Sequence, residues 1–190
     1  MTAVRTDRPI VLVGFIAAGK SMVGERLAAR LALPFVDCDK EIEKAVRLSI
    51  AELVRTGGGD YRKIEQHFVQ ALARSHPQVA ALGGEAFADV EIRTRLREMT
   101  VTIWLDPSFE RLLSRRQRLS THRFPAVRNE QLYRQLWEER QKNYSEAQFR
   151  VAVDSDDPEV TVDAILRVMA DPVQDVLPGT RALLERTQKR

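Results

Sequence analysis

The residues of this chain best placed to do chemistry begin at Gly14. The run Gly14-x-x-x-x-Gly19-Lys20-Ser21 has the spacing of a loop that cradles phosphate. Small residues let backbone N–H groups turn inward around phosphate oxygens, and a helix starting where the loop ends presents its positive N-terminus to the anion. Lys20 can reach the β and γ phosphates of a nucleotide, and the Ser21 hydroxyl can ligate Mg2+. The expected nucleotide contacts are therefore Gly14, Ala17, Ala18, Gly19, Lys20, Ser21 and Met22; Ala17 and Ala18 each add only a Cβ to the loop. With Gly at roughly 7% of residues, the bare pattern arises by chance in about one chain per hundred of this size. Here its context is also met, with an apolar run before it and a helical pattern after it within the first thirty residues.

A second pair of candidates is Asp37 and Asp39, which alternate at the end of the apolar stretch Pro34-Phe35-Val36. One carboxylate could hold Mg2+, directly or through water, while the other accepts a proton from an attacking hydroxyl. The bland alternative is that Asp39 merely caps the helix that follows. Cys38 between them reads as a packed residue rather than a reactive thiol. Arginines form the third group: Arg62, Arg116, Arg123 and Arg140 each lie on or beside an element expected to overhang the same edge, though any one of them could equally be a solvated side chain.

The elements that must position these groups follow from periodicity. Apolar runs at 10–13, 34–36, 79–82, 101–105 and 149–153 read as five short buried strands. Helical patterns cover 21–31, 40–47, 50–55, 61–74, 90–99, about 107–118, 130–147 and 158–169, with Gly57-Gly58-Gly59 expected to break one helix from the next. Strands alternating with helices predict an α/β domain, a five-stranded parallel sheet with helices on both faces. Ligands of such sheets bind beyond the carboxyl ends of the strands, which selects the loop at 14–21, Asp37 and Asp39, the Gly83-Gly84 turn and the segment around Arg123. Residues 1–8 read as a flexible N-terminus, 9–170 as the domain, 119–128 as a mobile lid within it, and 171–190 as a tail ending in a short charged helix.

Composition narrows the function classes. In 190 residues, 30 Lys+Arg against 27 Asp+Glu leave a net charge of +3, too balanced for a dedicated nucleic-acid binder. A single cysteine excludes an internal disulfide and disfavours a thiolate zinc site. No apolar run approaches the roughly 18 residues of a membrane span, and the start lacks a signal-peptide core. The expected setting is cytoplasmic, with a small anionic substrate and with neither nucleic acid nor membrane as partner.

From Ile10 to Met169 the chain resembles the shikimate kinases, small members of the nucleoside-monophosphate-kinase-like group. GFIAAGKSMVGERLA resembles their phosphate loop and first helix, and FVDCDKEIEK their D-x-D segment. IAELVRTGGGDYRKIE resembles the stretch that ends in an aromatic-Arg pair and a Glu, ALGGEA their Gly-Gly-Gly turn, and EERQKNYSEA their E-R-x-P-L-Y-x-E-A segment. The resemblance implies a P-loop kinase using ATP and Mg2+ to phosphorylate the 3-hydroxyl of shikimate, as a monomer. It implies Lys20 and Ser21 on phosphates and metal, Asp37 near the metal through water, and Asp39 orienting the acceptor hydroxyl. Arg62 and Arg140 would pair with the substrate carboxylate, with the backbone of the Gly83-Gly84 turn beside it. Arg123 would be the lid arginine, and Arg116 and Pro158 would sandwich adenine.

Three positions depart from that pattern. Glu85 stands where the third glycine would be; facing an anionic substrate at about 6 Å, it would cost roughly 3 kcal/mol at an effective dielectric of about 20. The lid reads His122-Arg123-Phe124-Pro125 instead of Arg-Pro, and Lys142-Asn143 replaces Pro-Leu. Two other functions stay open: a related kinase acting on a gluconate-like polyhydroxy acid or sugar, or a nucleotide-binding regulatory module that transfers nothing.

Overall fold

The structure, a computed structural model, describes residues 6–116 and 129–170, with backbone alone at 54 and 56–60. Five strands, β1 (Ile10–Val13), β2 (Phe35–Asp37), β3 (Val79–Ala81), β4 (Val101–Asp106) and β5 (Phe149–Ala152), form one sheet in the order β2-β3-β1-β4-β5. Every neighbouring pair is parallel, with Val11 of β1 opposite Ala80 of β3 and Thr102 of β4. The expected five-stranded parallel sheet is present.

Successive side chains of a strand point to opposite faces, and both faces are covered. Val11 and Val13 enter one core, where they meet Val69 and Leu72 of α3 (Ile50–Ala73), Leu96 of α4 (Val90–Met99), Leu112 of α5 (Phe109–Arg116) and Tyr133 of α6 (Glu130–Tyr144). Ile10 and Leu12 enter the other, against Val23 and Leu27 of α1 (Lys20–Leu31) and Val162 and Ile165 of α7 (Pro158–Ala170). The phosphate-loop strand is thus central and buried on both sides. Its carboxyl end lies level with those of β2 and β3, which brings the 14–21 loop, Asp37 and the Gly83 turn to one edge.

The predicted break at Gly57-Gly58-Gly59 is not there: α3 runs unbroken for 24 residues. Three interior glycines cost about 1 kcal/mol each relative to alanine. Against that, Ser49 and Glu52 form a reciprocal capping box at its start, typically worth about 1 kcal/mol. Ile50, Leu53, Val69 and Leu72 are buried along its length, each contributing about 1.5–3 kcal/mol. Burial outweighs local propensity, so two predicted helices are one. Smaller differences concern ends: β4 runs through Asp106, α5 begins at Phe109, and α6 stops at Tyr144. The lid at 119–128 and the tail at 171–190 lie outside the described residues.

Candidate active site

At Gly14 the backbone takes φ +147°, and a Cβ there would sit 2.6 Å from the carbonyl oxygen of Leu105 in β4. Only glycine fits that turn. Ala17 takes a left-handed φ of 70°, a conformation costing an L-residue roughly 1–2 kcal/mol. Gly19, φ 94°, is the N-cap of α1. Across the loop, Lys20 Nζ donates to the carbonyls of Gly14 at 2.8 Å and Phe15 at 3.0 Å. A hollow of about 310 Å3 opens here, walled by Ile16, Ala17, Gly19, Lys20, Ser21 and Met22 on one side and by Asp37, Asp39 and Gly84 on the other. Ala18 is fully buried behind it and braces the loop from the second core.

Ser21 Oγ donates to Asp37 Oδ2 at 2.7 Å. The other oxygen of Asp37 accepts from Lys40 N at 3.3 Å and caps α2 (Cys38–Val46). The helix cap is therefore Asp37, and Asp39, inside the first turn, is not the cap. A hydroxyl and a carboxylate so close together, beside an ammonium-lined hollow, suit Mg2+, which takes one or two protein oxygens and completes its shell with water and phosphate. Among the described residues no group of three or more His, Cys, Asp or Glu could enclose a metal alone. Burial pushes the Cys38 thiol well above its usual range, with Asp39 and Asp37 adding to the effect, which leaves it an inert packed group.

A second hollow, of about 400 Å3, lies alongside, lined by Tyr61, Arg62 and Glu65 of α3, Glu85, Ala88, Asp89 and Ile92 after β3, and Arg140 of α6. Arg140 Nε is buried and has no hydrogen-bond partner among the described residues. A buried guanidinium N–H left unmatched favours an acceptor from outside, a carboxylate above all.

The position of Arg140 follows from α6 itself. Tyr133, Arg140 and Tyr144, at i, i+7 and i+11, share one helical face. The Tyr133 hydroxyl donates to Ile16 O in the phosphate loop at 3.1 Å, and the Tyr144 hydroxyl to Gly84 O at 2.6 Å. Burial pushes the Tyr133 phenol up to about 12 and that of Tyr144 higher still, so both remain donors.

One acid from each hollow approaches Gly83. A Cβ on Gly83 would lie 2.7 Å from Asp39 Oδ1 and 3.1 Å from Glu65 Oε1. Asp39, which lines the first hollow, therefore lies across a bare glycine from an acid of the second. Glu65, the Glu that closes the stretch IAELVRTGGGDYRKIE, is the group to which the sequence assigned no role. Its carboxyl is pushed up to about 7, first by burial and then by Asp39 and Glu85, against the opposing Tyr61 hydroxyl at 2.9 Å and Arg62. Its spacing on α3, three after Arg62 and four after Tyr61, was the available signal.

Lys20, Ser21, Asp37, Asp39 and Gly84 come together at the first hollow, and Arg62 and Arg140 at the second, with Gly83 between them. Arg116 lies elsewhere, its guanidinium 6.0 Å from the Tyr133 ring and 3.9 Å from Glu130. Its neighbour Arg115 contacts the loop instead, donating to Ala17 O and Ser155 O at 3.4 Å and to Asp156 at 2.7 Å, in the turn that leads to Pro158. Arg123 and His122 lie outside the described residues. Glu85 takes φ −105°, ψ −19°, an ordinary conformation that does not require glycine, and it is exposed at the rim of the second hollow. Solvent screening there reduces the repulsion expected from the sequence.

A parallel sheet with a phosphate loop on its central strand and two acids facing that loop defines the P-loop kinase class of α/β proteins. The shikimate kinase family model matches residues 16–170, and the chain belongs to that family. The shikimate kinase of Caulobacter vibrioides is 39% identical over 166 residues, covering 85% of this chain and 82% of that one. A solved structure of Acinetobacter baumannii shikimate kinase in complex with shikimate has a TM-score of 0.78 at 25% identity, covering 89% of this chain and 96% of that one. A gluconokinase from Sinorhizobium meliloti aligns at a TM-score of 0.53 and 20% identity over 87% of this chain and 93% of that one, a likeness of fold alone.

Proposed function

We propose that the protein transfers the γ-phosphoryl group of ATP to the 3-hydroxyl of shikimate, giving shikimate 3-phosphate and ADP. The observation that carries this is the approach at Gly83 of Asp39, from the phosphate-loop hollow, and Glu65, from the hollow that contains Arg62 and Arg140. Lys20 and the loop from Gly14 to Met22 take the phosphates, and Ser21 and Asp37 are the residues that would hold Mg2+. The metal, when bound, neutralises phosphate charge. Arg62 and Arg140 hold the acceptor carboxylate with paired N–H bonds, beside the Gly84 N–H. Asp39 orients the acceptor hydroxyl and receives its proton as the new O–P bond forms and the bond to the β-bridging oxygen breaks. Arg123, outside the described residues, is assigned to stabilise the charge of the transferring group, and Arg116 and Pro158 flank adenine, with Arg115 holding the turn before Pro158. Positioning and charge neutralisation supply most of the rate.

Dependence on ATP supports a cytoplasmic setting. A coupled ADP-release assay with shikimate, with gluconate and with no acceptor tests the assignment. Turnover with shikimate is expected. Turnover with gluconate alone would move the acceptor to another polyhydroxy acid, and nucleotide binding without any turnover would make the protein a regulatory module.

A further inference from the structure

The acceptor hollow holds two guanidiniums, Arg62 and Arg140, against three carboxyls, Glu65, Glu85 and Asp89. Asp89 is committed elsewhere: its Oδ1 caps α4 by accepting from the amides of Glu91 and Ile92 at 2.9 and 3.0 Å, so helix amides offset its charge. What remains is two positive groups facing Glu65 and Glu85, with Asp39 adjoining across Gly83. A carboxylate entering this hollow makes three negative charges against two positive. One proton on a carboxyl restores the balance.

We propose that Glu85 makes entry of the acceptor carboxylate proton-coupled: a carboxylate ligand binds together with one proton taken up by Glu65. This rests on the acceptor reading given above. Glu65 is the group placed to take the proton because it is only 6% exposed, whereas Glu85 lies in solvent at the rim. The charged and titratable groups facing Glu65 are Asp39 and the buried Cys38 thiol from α2, Tyr61 and Arg62 from its own helix, and Glu85 from the turn after β3; Arg140 and Asp89 line the same hollow. Its carboxyl already stands at about 7 without a ligand, and an added anion raises it further. Affinity is therefore fullest below that value and is lost as pH rises through it.

Calorimetric titration of the nucleotide-free protein with shikimate, in buffers of different ionisation enthalpy between pH 6.5 and 8.5, reads the coupling directly. A fraction of a proton should be taken up per shikimate bound near neutral pH, and Kd should rise with pH there by up to about tenfold per unit. Glu85→Gln, a change at an exposed rim, should tighten binding at pH 8 by about three- to tenfold and shift the profile to lower pH. Glu65→Gln should abolish the uptake. Binding with no proton uptake at any pH, or a Glu85→Gln profile superimposable on the parent's, overturns the inference while leaving the acceptor assignment standing. Failure of shikimate to bind at any pH overturns both.

Discussion

Replacing Gly83 with alanine would place a methyl group 2.7 Å from Asp39 Oδ1 and 3.1 Å from Glu65 Oε1. Gly83 has no left-handed φ, so the added carbon strains no backbone and its effect falls on the two acids. Relaxing the closer contact to about 3.4 Å moves the Asp39 oxygen by roughly 0.7 Å. A displacement of about 1 Å at a reacting group costs about a hundredfold in rate, so Gly83→Ala should lower kcat by about ten- to a hundredfold, or roughly 1.4–2.7 kcal/mol. Overpacking should also remove about 1–3 kcal/mol of stability. The assay is coupled ADP release at saturating ATP with shikimate varied, beside a thermal melt. Gly84→Ala is the comparison, because its Cβ would meet the Ile16 side chain at 3.2 Å, and that side chain can rotate away. A Gly83→Ala enzyme with kcat within twofold of the parent, or one no slower than Gly84→Ala, would refute the placing of Asp39 at the reacting hydroxyl.

Other perturbations separate the remaining roles. Asp39→Asn should reduce kcat by two orders of magnitude or more, about 3 kcal/mol, and leave nucleotide affinity nearly unchanged in an equilibrium binding measurement. Lys20→Met should weaken nucleotide binding and, by freeing the carbonyls of Gly14 and Phe15, lower stability by about 1–3 kcal/mol in denaturant unfolding. Glu65 binds its proton more tightly folded than unfolded, about 7 against 4.5, so the ligand-free protein loses stability from this site as pH rises between those values, by roughly 3 kcal/mol at most. Glu65→Gln should accordingly raise the melting temperature more at pH 8 than at pH 5; an equal shift at both would disprove the buried carboxyl. Ser49→Ala should cost α3 about 1 kcal/mol by chemical denaturation.

The parts legible in the sequence were those set by short-range chemistry. The strands announced themselves as apolar runs because both faces of a parallel sheet are buried, and the phosphate loop because glycine spacing follows from backbone geometry at Gly14. The single α3 was not legible at Gly57-Gly58-Gly59, since what holds the helix through three glycines is packing supplied by residues far along the chain. The role of Glu65 escaped for a related reason: the pattern marks it as the Glu that follows the aromatic-Arg pair, but its place beside Asp39 exists only once the β3 turn sets Gly83 between them. The contact of Arg115 with the phosphate loop was not legible either, because it depends on the turn at Ser155-Asp156 some forty residues further on.

The two tyrosines of α6 have a mechanical consequence. A helix pinned at one end to the phosphate loop and three turns later to the acceptor turn cannot slide or roll without breaking a buried hydrogen bond, at about 1–3 kcal/mol each. Arg140, held between the two pins, is therefore fixed relative to both the phosphate loop and the acceptor turn.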